Sequence, residues 1–454
     1  MDDLITVTGG TVIPGDGRTV HESANLILSD SIEGIISART PPSGRVLPAD
    51  GGLVLPGLMN HHAHGLTAGP LFASGATPLE PAQVERNLDI HLVQGTTLAL
   101  NVDGLALPHE TLYQARDHSL NLGTATCHTP ASLRAAKAAD GAGLREPHWN
   151  TTVRDAVRQG ALAVGEVGSG HTLGGGGQDY LYIPRAIKRV TGKNITPLEA
   201  RRLKEAVLGP GLEPGSADRR SVISALRDLG LEEVLTAPET EQLITDTVMP
   251  SLKPGLESFE ESLRAAARES LPCILHCARP SASTILELAR SYPEVTIVAA
   301  HVNHDSFSVE EAVRWSHRLS RAGVLIDAGV FDAFGRREST PDPEHLMALL
   351  SRGHVDMIST DYGGGHHDSL LVALREVIRK KLISPAKAVS LVTGNPAQVF
   401  HRLARGRGIL APGRPGDVLV TWPDLRVRHL LVGGQVVMEE GSWTRHSPSR
   451  ERQD

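Results

Sequence analysis

Aromatic side chains are scarce in this chain: Phe, Tyr and Trp account for 3% of its 454 residues. Proteins that thread single-stranded nucleic acid stack successive bases on aromatic faces, and so sparse a set argues against such a platform. Cysteine is nearly absent as well, with only Cys127, Cys273 and Cys277. Three thiols make no disulfide framework and suit a reducing compartment, so a cytoplasmic protein is expected. Cys273 and Cys277 flank His276 but lack C-x2-C spacing and a second pair, and read as buried thiols. No apolar run is long enough to cross a bilayer. The opening MDDLITVTGG lacks the basic start and long apolar core of a secretory signal. Charge of one sign does not dominate either. The balance is −7 with Lys and Arg dispersed, which argues against binding a phosphate backbone. The expected partner is a small-molecule substrate, with no nucleic acid and no membrane, and a homo-oligomer is expected.

Histidine, in contrast, is abundant, at 21 residues. The most informative stretch is PGLMNHHAHG, Pro56 to Gly65, which carries His62 and His64 at the end of an apolar run. Residues two apart on a strand share a face, so both imidazoles can aim at one divalent metal.

The chain has room for one large domain and a smaller one. Residues 1–54 read as short strands broken by Gly, Pro, Asp and Ser, and residues 405–454 look similar before a polar tail. These two ends are expected to pair into a small β-sandwich. Between them, over 55–404, short apolar runs alternate with amphipathic stretches, as in βα units. The runs LVLPGLMN, TTLALNV, LGTATCH, ALAVGEV, PCILHC, VTIVAAH, GVLIDAG and VDMISTD predict the strands of a (β/α)8 barrel. One connection, with an insertion at about 171–255, is far longer than an ordinary loop. Its glycine-rich start is expected near the site and the remainder as outer decoration.

The ends of these strands carry a constellation. His62 and His64 belong to strand one, Glu166 to strand four, His276 to strand five, His301 to strand six and Asp361 to strand eight. Barrel active sites are built at the C-terminal ends of the strands. A carboxylate closing an apolar strand is costly to bury unless a cation neutralises it.

The pieces PGLMNHHAH, GEV, ILHC, AAH and STD, with the later TGNPAQVF and GRGILAPGRPGDVLV, resemble the amidohydrolase superfamily of metal-dependent hydrolases. The resemblance implies that His62, His64 and Asp361 hold a more buried metal and His276 and His301 a more exposed one. Glu166 stands where many members carry a carboxylated lysine, and a bridging role follows for it. Two divalent ions per chain are implied, zinc first, with iron, manganese or nickel compatible with the donors. The resemblance also implies cleavage of a C–N bond by an activated hydroxide, with Asp361 as general base and then acid.

GEVGSG with its following glycines looks most like enamidases and other cyclic-amide hydrolases. The deaminase branch carries a glutamate three residues after the strand-five histidine; here that position is Arg279, which disfavours ring deamination. A deaminase, or a decarboxylase or lyase, on the same scaffold remains the alternative, and a non-catalytic relative would be expected to have lost ligands. His128, His171, Asn303, His304 and Tyr362 are candidates for orienting substrate. Arg279, Arg336 and Arg337 could clamp a carboxylate, and His366 and His367 read as a solvated loop pair. The low aromatic content predicts little stacking surface for a large base.

Overall fold

The computed structural model describes residues 4–115, 118–168, 173–338, 340, 342–362 and 367–444. Eight parallel strands follow one another in chain order around a barrel. They are Leu58–Ala63, Thr96–Asn101, Asn121–Thr126, Ala163–Val167, Cys273–His276, Ile297–Ala300, Leu325–Gly329 and Met357–Ser359. All eight expected strands are present. Their near-continuous apolar composition fits strands covered on both faces. Along the second strand, Leu98 and Leu100 join one buried cluster with Met59, Ile274, Val298, Met357 and Phe400. Ala99 between them joins another cluster with the helix residues Leu88, Leu263, Ile285 and Leu349. That alternation is the period-two signature of a strand between an interior and a helical layer.

Two features of the first strand position the site. The run LVLPGLMN is not one strand: Leu53–Pro56 pairs with Val418–Thr421 in a different sheet, and the barrel strand begins at Leu58. Gly57 is the joint, because a Cβ there would lie 2.2 Å from Thr97 Oγ1. The pairing with the second strand then shifts register between Asn60 and Ala63, an irregularity that re-aims side chains. The barrel closes at this point. Asp361 N donates to His62 O at 3.2 Å and His64 N to Tyr362 O at 2.5 Å, so the seam itself carries three expected ligands.

The two chain ends form a nine-stranded mixed sheet, as their turn-rich patterns predict. Strands Ile32–Ser37 and Arg45–Pro48 belong to it as well.

After the fourth barrel strand the chain forms helices Ile183–Thr191, Pro197–Leu208, Arg219–Asp228 and Ala237–Val248. They enclose a core of their own, including Ile187, Leu203, Val207, Val222, Leu226, Ile244 and Val248. The following helix, Leu252–Glu269, returns the chain to the barrel. No helix among the described residues is long and apolar enough to cross a membrane.

Candidate metal centre

Glu166 stands at the middle of the site. Its Oε1 lies 3.0 Å from His276 Nδ1 and 2.9 Å from His301 Nε2. Its Oε2 lies 3.2 Å from His62 Nε2 and 3.4 Å from His64 Nε2. Asp361 Oδ1 approaches the same two imidazoles at 3.3 and 3.5 Å. Two donor groups result, His62–His64–Glu166–Asp361 and Glu166–His276–His301, each with its atoms within 4.8 Å of one another. The four imidazoles and Glu166 are buried, whereas the Asp361 side chain keeps 21% exposure.

The chemistry of this set fits divalent cations. Buried polar atoms normally find hydrogen bonds, yet among the described residues His62 Nε2, which faces both Glu166 and Asp361, makes none of good geometry. Without cations, protons must offset the buried carboxylates. Burial opposes protonation of His62, but the charges of Glu166 and Asp361 override it and raise its pKa to about 10. Burial would also raise Asp361, but His301, His62 and His64 hold it well below the usual carboxylate range. Glu166 is depressed in the same way by His62, His276 and His301. A site that recruits protons this strongly has the negative potential that metal ions neutralise.

The surrounding shell orients the donors. Asp103 Oδ1 accepts from His64 Nδ1 at 3.0 Å, and Oδ2 accepts from Gly65 N at 3.0 Å. A carboxylate can only accept, so His64 Nδ1 carries a proton, which leaves Nε2 as the nitrogen that could bind a cation. Asp327 Oδ2 accepts from the His301 amide at 3.0 Å and from Ser359 Oγ at 2.9 Å, while Oδ1 lies 3.0 Å from His61 Nε2. Asn60 donates to Thr360 Oγ1 at 2.7 Å and accepts from Thr360 N at 3.1 Å, fixing the residue before Asp361.

A cleft opens over the ligands, with about 970 Å³ of space including its mouth. Of the candidates for orienting substrate, His304 and Asn303 line it. His304 Nδ1 accepts from Ser306 N at 3.1 Å, which leaves its proton on Nε2. Burial and the neighbouring His276 and His301 keep this imidazole well below its ordinary pKa. Both ends of the Asn303 amide are engaged by the Gly329 backbone, at 2.8 and 2.7 Å. His128 and Tyr362 end their strands but do not reach the cleft. His128 lines a separate groove, and Tyr362 is buried with its hydroxyl donating to Asn87 at 2.6 Å. His171 and His366 lie outside the described residues.

Other expectations are corrected. Arg279 is 45% exposed beside Glu311, Arg336 is 66% exposed beside Glu338, and Arg337 is exposed; none lines the cleft. His367 is not a solvated loop residue: it lines the cleft and packs 3.9 Å from the Tyr362 ring. The insertion is more than decoration, since Tyr180 and Arg201 also line the cleft. Arg201 ion-pairs with Asp305, next to His304, and donates through Nε to buried Asp179 at 2.9 Å. Lys204 also holds Asp179, at 2.7 Å. Although aromatic residues are few, the cleft gathers Phe72, Phe331 and Tyr180. Sequence reasoning missed all of these. Of the orienting carboxylates, Asp103 carried a signal just beyond the apolar strand TTLALN, and Asp327 one within GVLIDAG.

No family model matches the chain. A curated relative, adenine deaminase 1 of Carboxydothermus hydrogenoformans, is 34% identical over 95 residues, 20% of this chain and 15% of that protein. The match therefore spans well under two thirds of the relative's length. Among solved structures, a D-aminoacylase described as defining a subset of amidohydrolases aligns with TM-score 0.60 and 15% identity over 99% of each chain. A β-aspartyl dipeptidase from Fervidobacterium islandicum AW-1, bound to a β-Asp-Leu dipeptide, aligns with TM-score 0.55 and 13% identity over 98% of each. At these identities the likeness is one of fold.

Proposed function

We propose that this protein is a metal-dependent amidohydrolase that opens a small cyclic amide by hydrolysis of its C–N bond. The observation that carries the reading is Glu166, whose two oxygens face two histidine pairs, one from the first barrel strand and one from the fifth and sixth. The donor groups would hold two divalent cations, zinc being the first choice for imidazole and carboxylate donors. When bound, such ions polarise a carbonyl and make a water acidic enough to ionise near neutral pH.

The chain's own residues supply the rest. Asp361 touches His62 and His64 through Oδ1 yet keeps an exposed edge toward the cleft. It is the group that can take a proton from the attacking water and hand it to the leaving nitrogen. His304, with its proton on Nε2, is suited to donate a hydrogen bond to the substrate carbonyl. The insertion helix Pro197–Leu208 brings Arg201 to the rim and narrows the cleft around a compact ligand.

Support from the relatives is of kind rather than of substrate. The dipeptidase and the aminoacylase share the fold, and the first holds a dipeptide, a C–N substrate. The short likeness to an adenine deaminase favours the second reading, deamination on the same scaffold. The test is a panel of lactams, hydantoin-like rings, enamides, aminopurines and open-chain acyl amino acids, read by mass spectrometry with metal-loaded protein. Ring opening adds one water to the substrate mass. Ammonia released from aminopurines with no ring opening anywhere would replace this reading by the deaminase.

A further inference from the structure

We infer that Phe72 and Phe331 form an apolar grip for the carbon skeleton of the substrate ring, one beside each donor group. Phe72 follows the first barrel strand, and its ring centroid lies 4.8 Å from that of His64. Phe331 follows the seventh strand, 6.1 Å from His301. Both line the cleft, with Ala333, Pro343 and Leu346 extending the apolar wall.

Both residues also have an unusual backbone. Phe72 has φ +57° and Phe331 φ +53°, a left-handed conformation that is a genuine outlier for a bulky side chain. Glycine or asparagine would adopt it at less cost. The conformation is held from both sides. Phe72 N donates to Asp103 Oδ1 at 2.9 Å, and its carbonyl accepts from Gly75 N at 3.1 Å. Phe331 N donates to Thr360 O at 3.1 Å, and its carbonyl accepts from Asp368 N at 2.7 Å. Gly329 makes room, since a Cβ there would lie 2.7 Å from the Phe331 ring.

Neither ring belongs to the barrel core, although Phe72 is buried. Phe72 belongs only to a small cluster with Leu71 and Ala76, and Phe331 to none of the buried clusters among the described residues. Strain retained at a cleft, where the surroundings over-determine it, marks a position kept for function. Two aromatic surfaces flanking buried donors select a compact, hydrocarbon-bearing ring over a small polar amide such as a urea.

The inference rests on the cyclic-amide reading, and its test separates the two. Phe72→Gly and Phe331→Gly relieve the backbone while removing the rings. Both should melt within a few degrees of wild type, with KM for a six-membered lactam raised about tenfold and KM for an open-chain acyl amino acid raised much less. Equal losses on ring and open-chain substrates, with a large fall in melting temperature, would mean the rings are structural and overturn the grip. If wild type opens no ring, the cyclic-amide reading falls and binding decides. Benzohydroxamate and acetohydroxamate carry the same chelating group and differ by a ring. Metal-loaded wild type should bind the former about tenfold more tightly, and both glycine variants should lose that preference. Equal binding of the two probes by wild type would overturn the grip.

Discussion

One oxygen of Asp103 serves two masters: Oδ1 accepts from His64 Nδ1 at 3.0 Å and from the Phe72 amide at 2.9 Å. The carboxylate thus sets the tautomer of a metal-facing imidazole and anchors the strained loop beside it. Asp103→Asn can no longer accept at every position, and metal affinity should fall about 10- to 100-fold, as for other partners of ligating histidines. Chelator competition measures this. Unchanged affinity would show that His64 is oriented by packing alone.

Glu166→Gln removes the charge shared by both donor groups. The expected result is a folded protein whose metal content drops from about two ions to about one, read by elemental analysis after reconstitution. Full occupancy in the variant would mean that the two groups do not share their central ligand.

Asp361→Asn keeps an oxygen toward His62 and His64 but cannot carry a proton. Turnover should fall by roughly 100- to 10,000-fold with metal content retained. Near-wild-type turnover would pass the proton-shuttling role to another cleft residue.

Arg201 ties the insertion to the barrel through Asp305, with its side chain only 12% exposed. Arg201→Met leaves Asp305 without this partner and Asp179 with one cation fewer. The helices between 183 and 248 have their own core, so they should stay folded but undock. Hydrogen exchange should rise where the insertion meets the cleft while the barrel strands stay protected. Unaltered protection there would mean that contacts other than Arg201–Asp305 dock the insertion.

His91 and His128 are buried and held neutral, with burial pushing both from 6.5 down to about 4. Between those values the unfolded chain binds protons that the folded chain does not, so stability rises with pH across this window and is lost on acidification. The effect is on the order of 3 kcal/mol per histidine. Denaturant unfolding at pH 7 and pH 5 should show wild type losing more stability than His91→Gln. Parallel losses would assign the acid sensitivity to other groups.

The six residues that meet at the centre were legible because each closes an apolar run, and a short run bounded by turns identifies its own strand end. The barrel was legible for the same reason, since eight such runs separated by amphipathic stretches leave few architectures. Side-chain direction was not. His128 and Tyr362 occupy similar strand-end positions, yet one lines a different groove and the other points its hydroxyl at Asn87. Arg279 lies close in sequence to His276 and still projects into solvent.

Local pattern therefore carried the fold class and the six residues that meet at the centre, because both follow from periodicities two to four residues long. The walls of the cleft needed the tertiary structure. Phe72 and Phe331 meet the donors only through turns at positive φ, and Arg201 reaches Asp305 from more than a hundred residues away. Contacts of that range depend on how loops and helices pack once the barrel has closed, and no sequence period encodes them.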